Sequence, residues 1–473
     1  MSDYDVIVIG AGPGGYEAAI RCAQLGMKTA CIDDQLDEQG QPSLGGVCLN
    51  IGCIPSKALL DSSHHYHRAQ HEFANHGINT GKVSIDVATM MQRKQQVVQT
   101  LTGGIAMLFT KYKIDWLPGR GQLVGEHRVR VDGHGDKEHQ EITVDNIIIA
   151  TGSSVVELEL APFDHERIVD STGALSFTEV PARLGIIGGG VVGLELGSVW
   201  SRLGSKTTML IRSETFMSHA DRDIAAALQQ DISATENLDL QLGAQLKSVK
   251  KTRKQITVNW GNAEGEHTLQ LDKLLIAAGR YPNSVNIGAE TVGLGLDARG
   301  FIEVDAECRT NLPGVFAIGD VVRGMMLAHK ASAEGVAVAE RLAGQQPVLN
   351  YKTIPLVIYT WPEVAWVGLN AEQLQADGIE FKAGVFPLIA NGRAHAAGET
   401  SGLVKILSDA RTDTILGVHI YGANASELIA EAVLAMEFTA SAEDLARTIH
   451  AHPTFSEAIH EAALAVGGQS LHI

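Results

Sequence analysis

Asp5-Val6-Ile7-Val8-Ile9-Gly10-Ala11-Gly12-Pro13-Gly14-Gly15 is the stretch that decides the fold. Its β-branched run reads as a short buried strand, its glycines as a tight turn, and Tyr16 to Leu25 as a helix that Gly26 stops. Gly10, Gly12 and Gly15 permit the turn and bring the backbone close to whatever binds there. The free N–H groups and dipole of the following helix favour a phosphate at that point. The next strand, Thr29 to Ile32, ends at Asp33, at the spacing of an acid that holds an adenosine ribose. Strand, turn, helix and downstream acid together predict a dinucleotide-binding βαβ unit.

The pattern repeats. Leu184-Gly185-Ile186-Ile187 runs into Gly188-Gly189-Gly190-Val191-Val192-Gly193 and a helix from Leu194 to Leu203, so Gly188, Gly190 and Gly193 mark a second dinucleotide loop. The strand after it, Thr207 to Ile211, ends without an acid, and Arg212 follows. A carboxylate there selects the ribose 2′-hydroxyl of NAD, whereas an arginine accommodates the 2′-phosphate of NADP. Arg212 also reads as a plain surface charge. Two more apolar strands close the units: Ile147 to Ala150, followed by Gly152, and Leu274 to Ala278, followed by Gly279. A further buried strand, Val315 to Ile318, carries Asp320 at its C-terminal end, where doubly wound sheets bind ligands. Asp320 reads either as an acid for a cofactor polyol chain or as a cap for the helix predicted over Leu327 to Leu342.

Between the first two strands of this scheme and the rest lies Gly45-Gly46-Val47-Cys48-Leu49-Asn50-Ile51-Gly52-Cys53-Ile54-Pro55-Ser56-Lys57, which holds two of the five cysteines. A local curl could close a small disulfide loop between Cys48 and Cys53. A helix N-terminus with Lys57 in reach would lower a thiol pKa, which suits a reversible dithiol/disulfide pair. Two buried structural cysteines or half of a zinc site are the alternatives, though no second Cys pair or Cys/His spacing follows. Cys22, Cys31 and Cys308 stand alone and read as small buried hydrophobes. The helix predicted over Ala58 to Ala74 carries His64, His65, His67 and His71, read as solvated surface residues and not as a metal site.

At 473 residues, 45% of them hydrophobic, the chain suits about three domains. Its 37 Lys and Arg against 55 Asp and Glu give a net charge of -18, which excludes nucleic acid and anionic membranes as expected partners. No apolar run approaches the roughly 20 residues needed to span a bilayer. The N-terminus is acidic, without a basic leader, so a reducing, cytoplasmic setting is expected. In that setting a close cysteine pair is catalytic more often than structural.

From Asn350 the glycine loops stop, and strands alternate with helices. Near the end stands His450-Ala451-His452-Pro453-Thr454-Phe455-Ser456-Glu457, in which a histidine and a carboxylate five positions on suit a base and its orienting partner.

With two glycine loops, the cysteine pair and Asp320, the chain resembles the flavin-dependent pyridine-nucleotide disulfide oxidoreductases. Gly46 to Leu60, Met326-Leu327-Ala328-His329-Lys330-Ala331, Asn391-Gly392-Arg393-Ala394 and the His450 to Glu457 segment are similar to those of the family's lipoamide dehydrogenases. The resemblance spans Tyr4 to about Gly467. It implies an α/β fold of two Rossmann-like dinucleotide-binding domains and a C-terminal α+β dimerisation domain. The expected ranges are 1–155 with 280–349 for FAD, 156–279 for NAD(P) and 350–473 for the homodimer interface. It implies that Cys48 exchanges with substrate, that Cys53 lies against the flavin, and that His452 is the base and Glu457 its partner, both contributed by the other subunit. Gly10, Gly12, Gly15, Asp33, Lys57, Gly152 and Asp320 are expected at FAD, and Gly188, Gly190, Gly193, Arg212 and Gly279 at the nicotinamide nucleotide.

The implied reaction oxidises protein-bound dihydrolipoamide, with NAD as acceptor and lipoylated carriers of 2-oxoacid dehydrogenase, glycine cleavage or other systems as partners. Two departures stand out. Val47 replaces a threonine common before the first cysteine, and Ile211-Arg212 replaces the usual acid in a run that resembles glutathione reductase. An NADPH-dependent, glutathione-reductase-like enzyme is therefore the nearest rival, and a non-catalytic flavoprotein subunit or redox sensor is the rival of another class. No metal is expected.

Overall fold

The computed structural model describes residues 2–134, 139–234 and 237–473. The chain begins with β1 (Tyr4–Ile9), α1 (Pro13–Gln24) and β2 (Thr29–Asp33), continues through α2 (Gly46–Ile51), α3 (Cys53–His71) and α4 (Val87–Tyr112), and returns as β3 (Asp115–Gly125), β4 (Arg128–Gly133) and β5 (Gln140–Ile149). β1 lies between β2 and β5, parallel to both, with Ile7 opposite Ala30 and Ile147. Val6 to Ile9 are buried on both faces, which explains a continuous apolar run where a half-exposed strand would alternate. The far halves of β3 and β5 fold over as an antiparallel ribbon around β4.

β6 (Ser153–Val155) leads out of this sheet. There follow β7 (Ile168–Val169), α5 (Ser171–Ala174), β8 (Arg183–Ile187), α6 (Val191–Arg202), β9 (Lys206–Ile211), α7 (Arg222–Ser233) and β10 (Leu238–Leu242), then the antiparallel β11 (Gln245–Lys251), β12 (Ile256–Asn262) and β13 (Gly265–Leu271), and β14 (Lys273–Ile276). The parallel order is β10-β9-β8-β14-β7, which repeats the winding of the first sheet, β3-β2-β1-β5. β15 (Arg280–Pro282) pairs antiparallel with β6 and carries the chain back. After α8 (Ala289–Val292), β16 (Val315–Ala317) joins the first sheet beside β5, and α9 (Ala328–Leu342) covers α1.

The last third comprises β17 (Leu356–Ile358), β18 (Glu363–Gly368), α10 (Ala371–Ala376), β19 (Phe381–Pro387), α11 (Gly392–Ala397), β20 (Leu403–Asp409), β21 (Ile415–Gly422), α12 (Ala425–Glu437), α13 (Ala442–Arg447) and α14 (Glu457–Val466). Its sheet is wholly antiparallel in the order β17-β18-β21-β20-β19. The architecture is therefore the expected one: two doubly wound parallel units and an α+β unit. One apolar cluster reaches across all three, with Leu59 and Leu60 of α3, the fully buried Trp200 of α6, and Ile358, Trp366 and Tyr421 of the last sheet. Among the described residues no helix is long and apolar enough to cross a membrane.

Candidate active site

The cysteine segment is laid directly on the first glycine loop. Gly45 and Gly46 take positive φ angles of 101° and 57°, the Gly45 N–H donates to Ala11 O at 3.0 Å, and a Cβ on Gly46 would stand 2.6 Å from Gly12 Cα. Only glycine permits both the turn and the approach. Asn50 ties the segment down, donating from Nδ2 to Leu44 O at 3.0 Å and Gly46 O at 2.9 Å while Oδ1 accepts from Ser43 Oγ at 2.7 Å. Gly52, at φ -136° and ψ -112°, separates α2 from α3, and a side chain does not fit there, because a Cβ would press to 2.9 Å on Val47 O. The break brings Cys48 and Cys53 to a Cα separation of 4.7 Å, and they form a disulfide. Cys53 opens the 19-residue α3, where helix N–H groups and dipole favour a thiolate.

Lys57 follows one turn later but is not left facing the thiols. Its Nζ lies 2.8 Å from Glu195 Oε2 and 4.4 Å over the Tyr359 ring. Glu195, on α6 and 3% exposed, accepts the Tyr359 N–H at 3.1 Å with its other oxygen. Glu195 is a site residue that no motif marks; its one signal in the sequence is a lone acid inside an apolar helix, which needs a partner when buried.

The two glycine loops share one construction. Gly10 (φ 106°) and Gly188 (φ 119°) have their Cβ positions filled by the carbonyls of Ala150 and Ala277, and Gly15 and Gly193 are pressed against the carbonyls of Gly10 and Gly188. By contrast, a Cβ on Gly12 or Gly190 would meet nothing within 4 Å. Those two residues are the N-caps of α1 and α6, and neither helix has a side-chain cap. Asp33 accepts the Ala11 N–H with Oδ2 and the Gln35 N–H with Oδ1 at 2.7 Å. Burial pushes its carboxyl up to about 6 against the pull of those bonds. In the second loop Ile211 fills the place beneath Gly189, whose Cβ would stand 2.7 Å from Ile211 Cδ1, and Arg212 is exposed.

Gly152 and Gly279 flank the β6–β15 link, with φ of 72° and 124° and open space at their Cβ positions. Asp320 lies in a single 3-10 turn, Gly319–Val321, where its Oδ2 accepts from Ser153 Oγ at 2.6 Å and Ser153 Oγ accepts from Arg280 Nε at 2.7 Å. It does not cap α9, whose N-cap is Leu327.

In the last unit His452 Nδ1 lies 2.8 Å from Glu457 Oε1, and the Thr454 N–H donates to Glu457 Oε2 at 2.8 Å. Burial would raise the Glu457 carboxyl, but the Thr454 and His452 contacts outweigh it and hold it below the usual range. The His452 side chain is 79% exposed, while that of His450 is 7% exposed and engaged with Glu431 Oε1 at 2.6 Å. His452 is thus the histidine that the motif presents. Among the described residues no hydrogen bond or ion pair joins this dyad to the cysteines: α14 packs on β19, β20 and α13, and α3 on α2, α4 and α6. The disulfide and the dyad are not brought together within one chain.

Two of the histidines of α3 depart from the expected solvated surface: His64 and His67 are half-buried. The His64 ring lies 4.3 Å from that of Trp361 and burial pushes its pKa down to about 3, while burial also lowers that of His67. The His67 and His71 rings lie 4.5 Å apart. Among the described residues no group of three His, Cys, Asp or Glu could hold a metal ion.

The sequence pattern of the family described as pyridine nucleotide-disulphide oxidoreductase matches residues 4–335, and that of its dimerisation domain matches residues 354–463. The chain belongs to this family. It is 50% identical to a protein of Cupriavidus necator named dihydrolipoyl dehydrogenase, over 99% of both chains. Dihydrolipoyl dehydrogenase 3 of Pseudomonas aeruginosa is 48% identical, over 100% of this chain and 99% of that one. Among solved structures, the HOCl-induced flavoprotein disulfide reductase RclA of Escherichia coli, as its Cu(II) complex, superposes with a TM-score of 0.86 at 27% identity, covering 98% of this chain and 99% of that one.

FAD and a nicotinamide nucleotide are the cofactors that membership of this oxidoreductase family implies, and the residues present fit two dinucleotides. Each loop leaves open space, at Gly12 and at Gly190, over an uncapped helix N-terminus, which is what a pyrophosphate requires. The fit extends to sugar groups in the first unit, through the buried Asp33 carboxyl, and lacks that acid in the second.

Proposed function

We propose that this chain works as a homodimer that oxidises protein-bound dihydrolipoamide to lipoamide through Cys48 and Cys53, with FAD and a nicotinamide nucleotide as cofactors. The observation that carries the reading is the Cys48–Cys53 disulfide seated on the first dinucleotide loop. The 50% identity to a dihydrolipoyl dehydrogenase supports the choice of substrate.

Cys48 is the thiol that exchanges with substrate. A substrate thiol gives its proton to His452 Nε2 and attacks Cys48 Sγ; the Cys48–Cys53 bond breaks, and Cys53 leaves as a thiolate stabilised at the start of α3. The second substrate thiol attacks the substrate sulfur now bonded to Cys48, closing the lipoamide ring, and its proton goes to Cys48 as that residue leaves. Glu457 holds the Nδ1 proton of His452 so that Nε2 is the basic nitrogen. When bound, FAD and the nicotinamide nucleotide supply the removal of the electron pair from the reduced cysteines and its transfer as hydride. Gly10, Gly12, Gly15, Asp33, Gly152 and Asp320 hold the FAD, with Lys57 at its reactive edge. Gly188, Gly190, Gly193, Gly279 and Arg212 hold the nicotinamide nucleotide.

The dyad of each chain serves the disulfide of the other. The exposure of His452, on a segment matched by the family's dimerisation domain, supports that arrangement. Partners are lipoylated carriers of the 2-oxoacid dehydrogenase, glycine cleavage or related systems, and a reducing cytoplasm suits three free, buried cysteines.

NAD is the acceptor that the resemblance of the sequence motifs to lipoamide dehydrogenases implies, and the exposed Arg212 after β9 favours NADP as the second reading. Turnover of dihydrolipoamide with NAD+ or NADP+, compared with turnover of oxidised glutathione with NADPH, tests both choices. Dihydrolipoamide is the expected substrate; exclusive glutathione turnover overturns the assignment.

A further inference from the structure

Gly319, the residue before Asp320, is gripped at both of its backbone polar groups by α9. Glu334 Oε2 accepts its N–H at 2.8 Å, and Lys330 Nζ donates to its carbonyl at 3.0 Å. The two side chains lie 3.3 Å apart and are 2% and 1% exposed, Lys330 and Glu334 respectively. Tyr351 Oη donates to the other Glu334 oxygen at 2.9 Å. An apolar pair of the same volume would stabilise an interior as well as a buried ion pair does, so stability alone does not account for these residues. What they do that an apolar pair cannot is hold the two successive peptide units that meet at Gly319, Ile318–Gly319 by its N–H and Gly319–Asp320 by its carbonyl.

Those two peptide units begin the turn on which Asp320 stands, with Gly319 at φ 77°. α9 is itself seated on α1 at glycine contacts: a Cβ on Gly14 would stand 2.9 Å from Ala331 O, and one on Gly335 would run into Gly14 O. The helix that grips Gly319 is therefore in fixed register with the helix that starts at Gly12. The Asp320 carboxylate is held from the opposite side by Ser153 and, through it, Arg280.

We propose that Lys330 and Glu334 are positioning residues for Asp320, setting its turn at one distance from the Gly10–Gly15 loop so that both ends of the FAD site keep a fixed spacing. The inference rests on Asp320 being an FAD-binding acid. It concerns retention of the flavin and not the reaction.

The test is flavin release from the holoenzyme in sub-denaturing guanidinium, followed by flavin fluorescence, with unfolding followed by tryptophan fluorescence and the flavin environment by visible circular dichroism. Glu334→Leu and Lys330→Met are expected to release flavin about 10- to 100-fold faster than the native protein, ahead of unfolding, as the loss of a buried hydrogen bond to a charged group implies. Glu334→Gln keeps an acceptor for the Gly319 N–H and should restore release to within about 5-fold of native. Should Glu334→Leu fail to fold, Glu334→Gln and Tyr351→Phe decide. The latter removes one donor to Glu334 and should speed release by about 3- to 10-fold with unchanged unfolding. Flavin lost only in step with unfolding in every variant overturns the positioning role. Asp320→Asn separates the two claims. If it releases flavin no faster than native, the reading of Asp320 falls; if it does while the Lys330 and Glu334 variants do not, this inference alone falls.

Discussion

Glu457→Gln keeps the shape of a side chain that accepts from two donors at once and leaves it a single acceptor atom. In the native dyad Oε1 faces His452 Nδ1 at 2.8 Å and Oε2 accepts the Thr454 N–H at 2.8 Å. The Thr454 N–H belongs to the backbone and cannot turn away, so the glutamine carbonyl satisfies it and the NH2 faces Nδ1. Nδ1 must then accept, which places the imidazole proton on Nε2, the atom proposed to take the substrate proton. Positioned acid–base catalysis contributes about 10²- to 10⁴-fold, and a charge-assisted hydrogen bond about 1.5–3 kcal/mol. The expected loss in kcat/KM for dihydrolipoamide is therefore about 10²- to 10³-fold. Because His452 is largely exposed, thermal stability should change by less than about 1 kcal/mol. Glu457→Ala provides the discriminating comparison, since it leaves Nδ1 to solvent and the tautomer free. Steady-state rates of the two variants should place Gln at or below Ala. A glutamine variant within about 3-fold of native, or one much faster than alanine, refutes the tautomer argument.

In the reduced enzyme, a limiting alkylating agent should label Cys48 first and leave a long-wavelength thiolate–flavin absorption that depends on Cys53; peptide mapping that finds Cys53 labelled first inverts their roles. Arg212→Glu should shift the kcat/KM ratio of NAD+ to NADP+ upward by at least about tenfold if Arg212 meets a 2′-phosphate, and an unchanged ratio makes it a surface charge. Asp33 has a carboxyl pushed from an ordinary 3.8 to about 6, so its share of flavin-free stability is fully present below pH 3.8, declines as pH rises to about 6, and is level above. The decline amounts to about 3 kcal/mol. Denaturant titrations of Asp33→Asn between pH 4 and 7 should lack that slope, while its FAD dissociation constant rises at least about tenfold.

The parts of the site legible in the sequence are those that act through backbone and local spacing. Gly10 to Gly15 and Gly188 to Gly193 announce themselves because the chain must turn and a helix must start within a few residues. The dyad was legible for the same reason: His452 and Glu457 meet across one short turn. What escaped depends on pairs far apart in the chain. Lys57 finds Glu195 138 positions away, and Gly46 meets Gly12 because α2 folds back over the first loop. Asp320 offered two readings that spacing could not separate, and the Ser153 contact, 167 positions away, decided against a helix cap. The half-burial of His64 escaped as well, since Trp361 arrives from the last unit to cover it.

Rapid mixing of the oxidised holoenzyme with dihydrolipoamide, without nicotinamide nucleotide, is the most direct test of electron flow from a substrate dithiol through Cys48 and Cys53. The flavin absorption should bleach or shift on the timescale of turnover in the native protein and remain unchanged in Cys48→Ser. A native flavin that stays oxidised, or a Cys48→Ser variant reduced as fast as native, contradicts it.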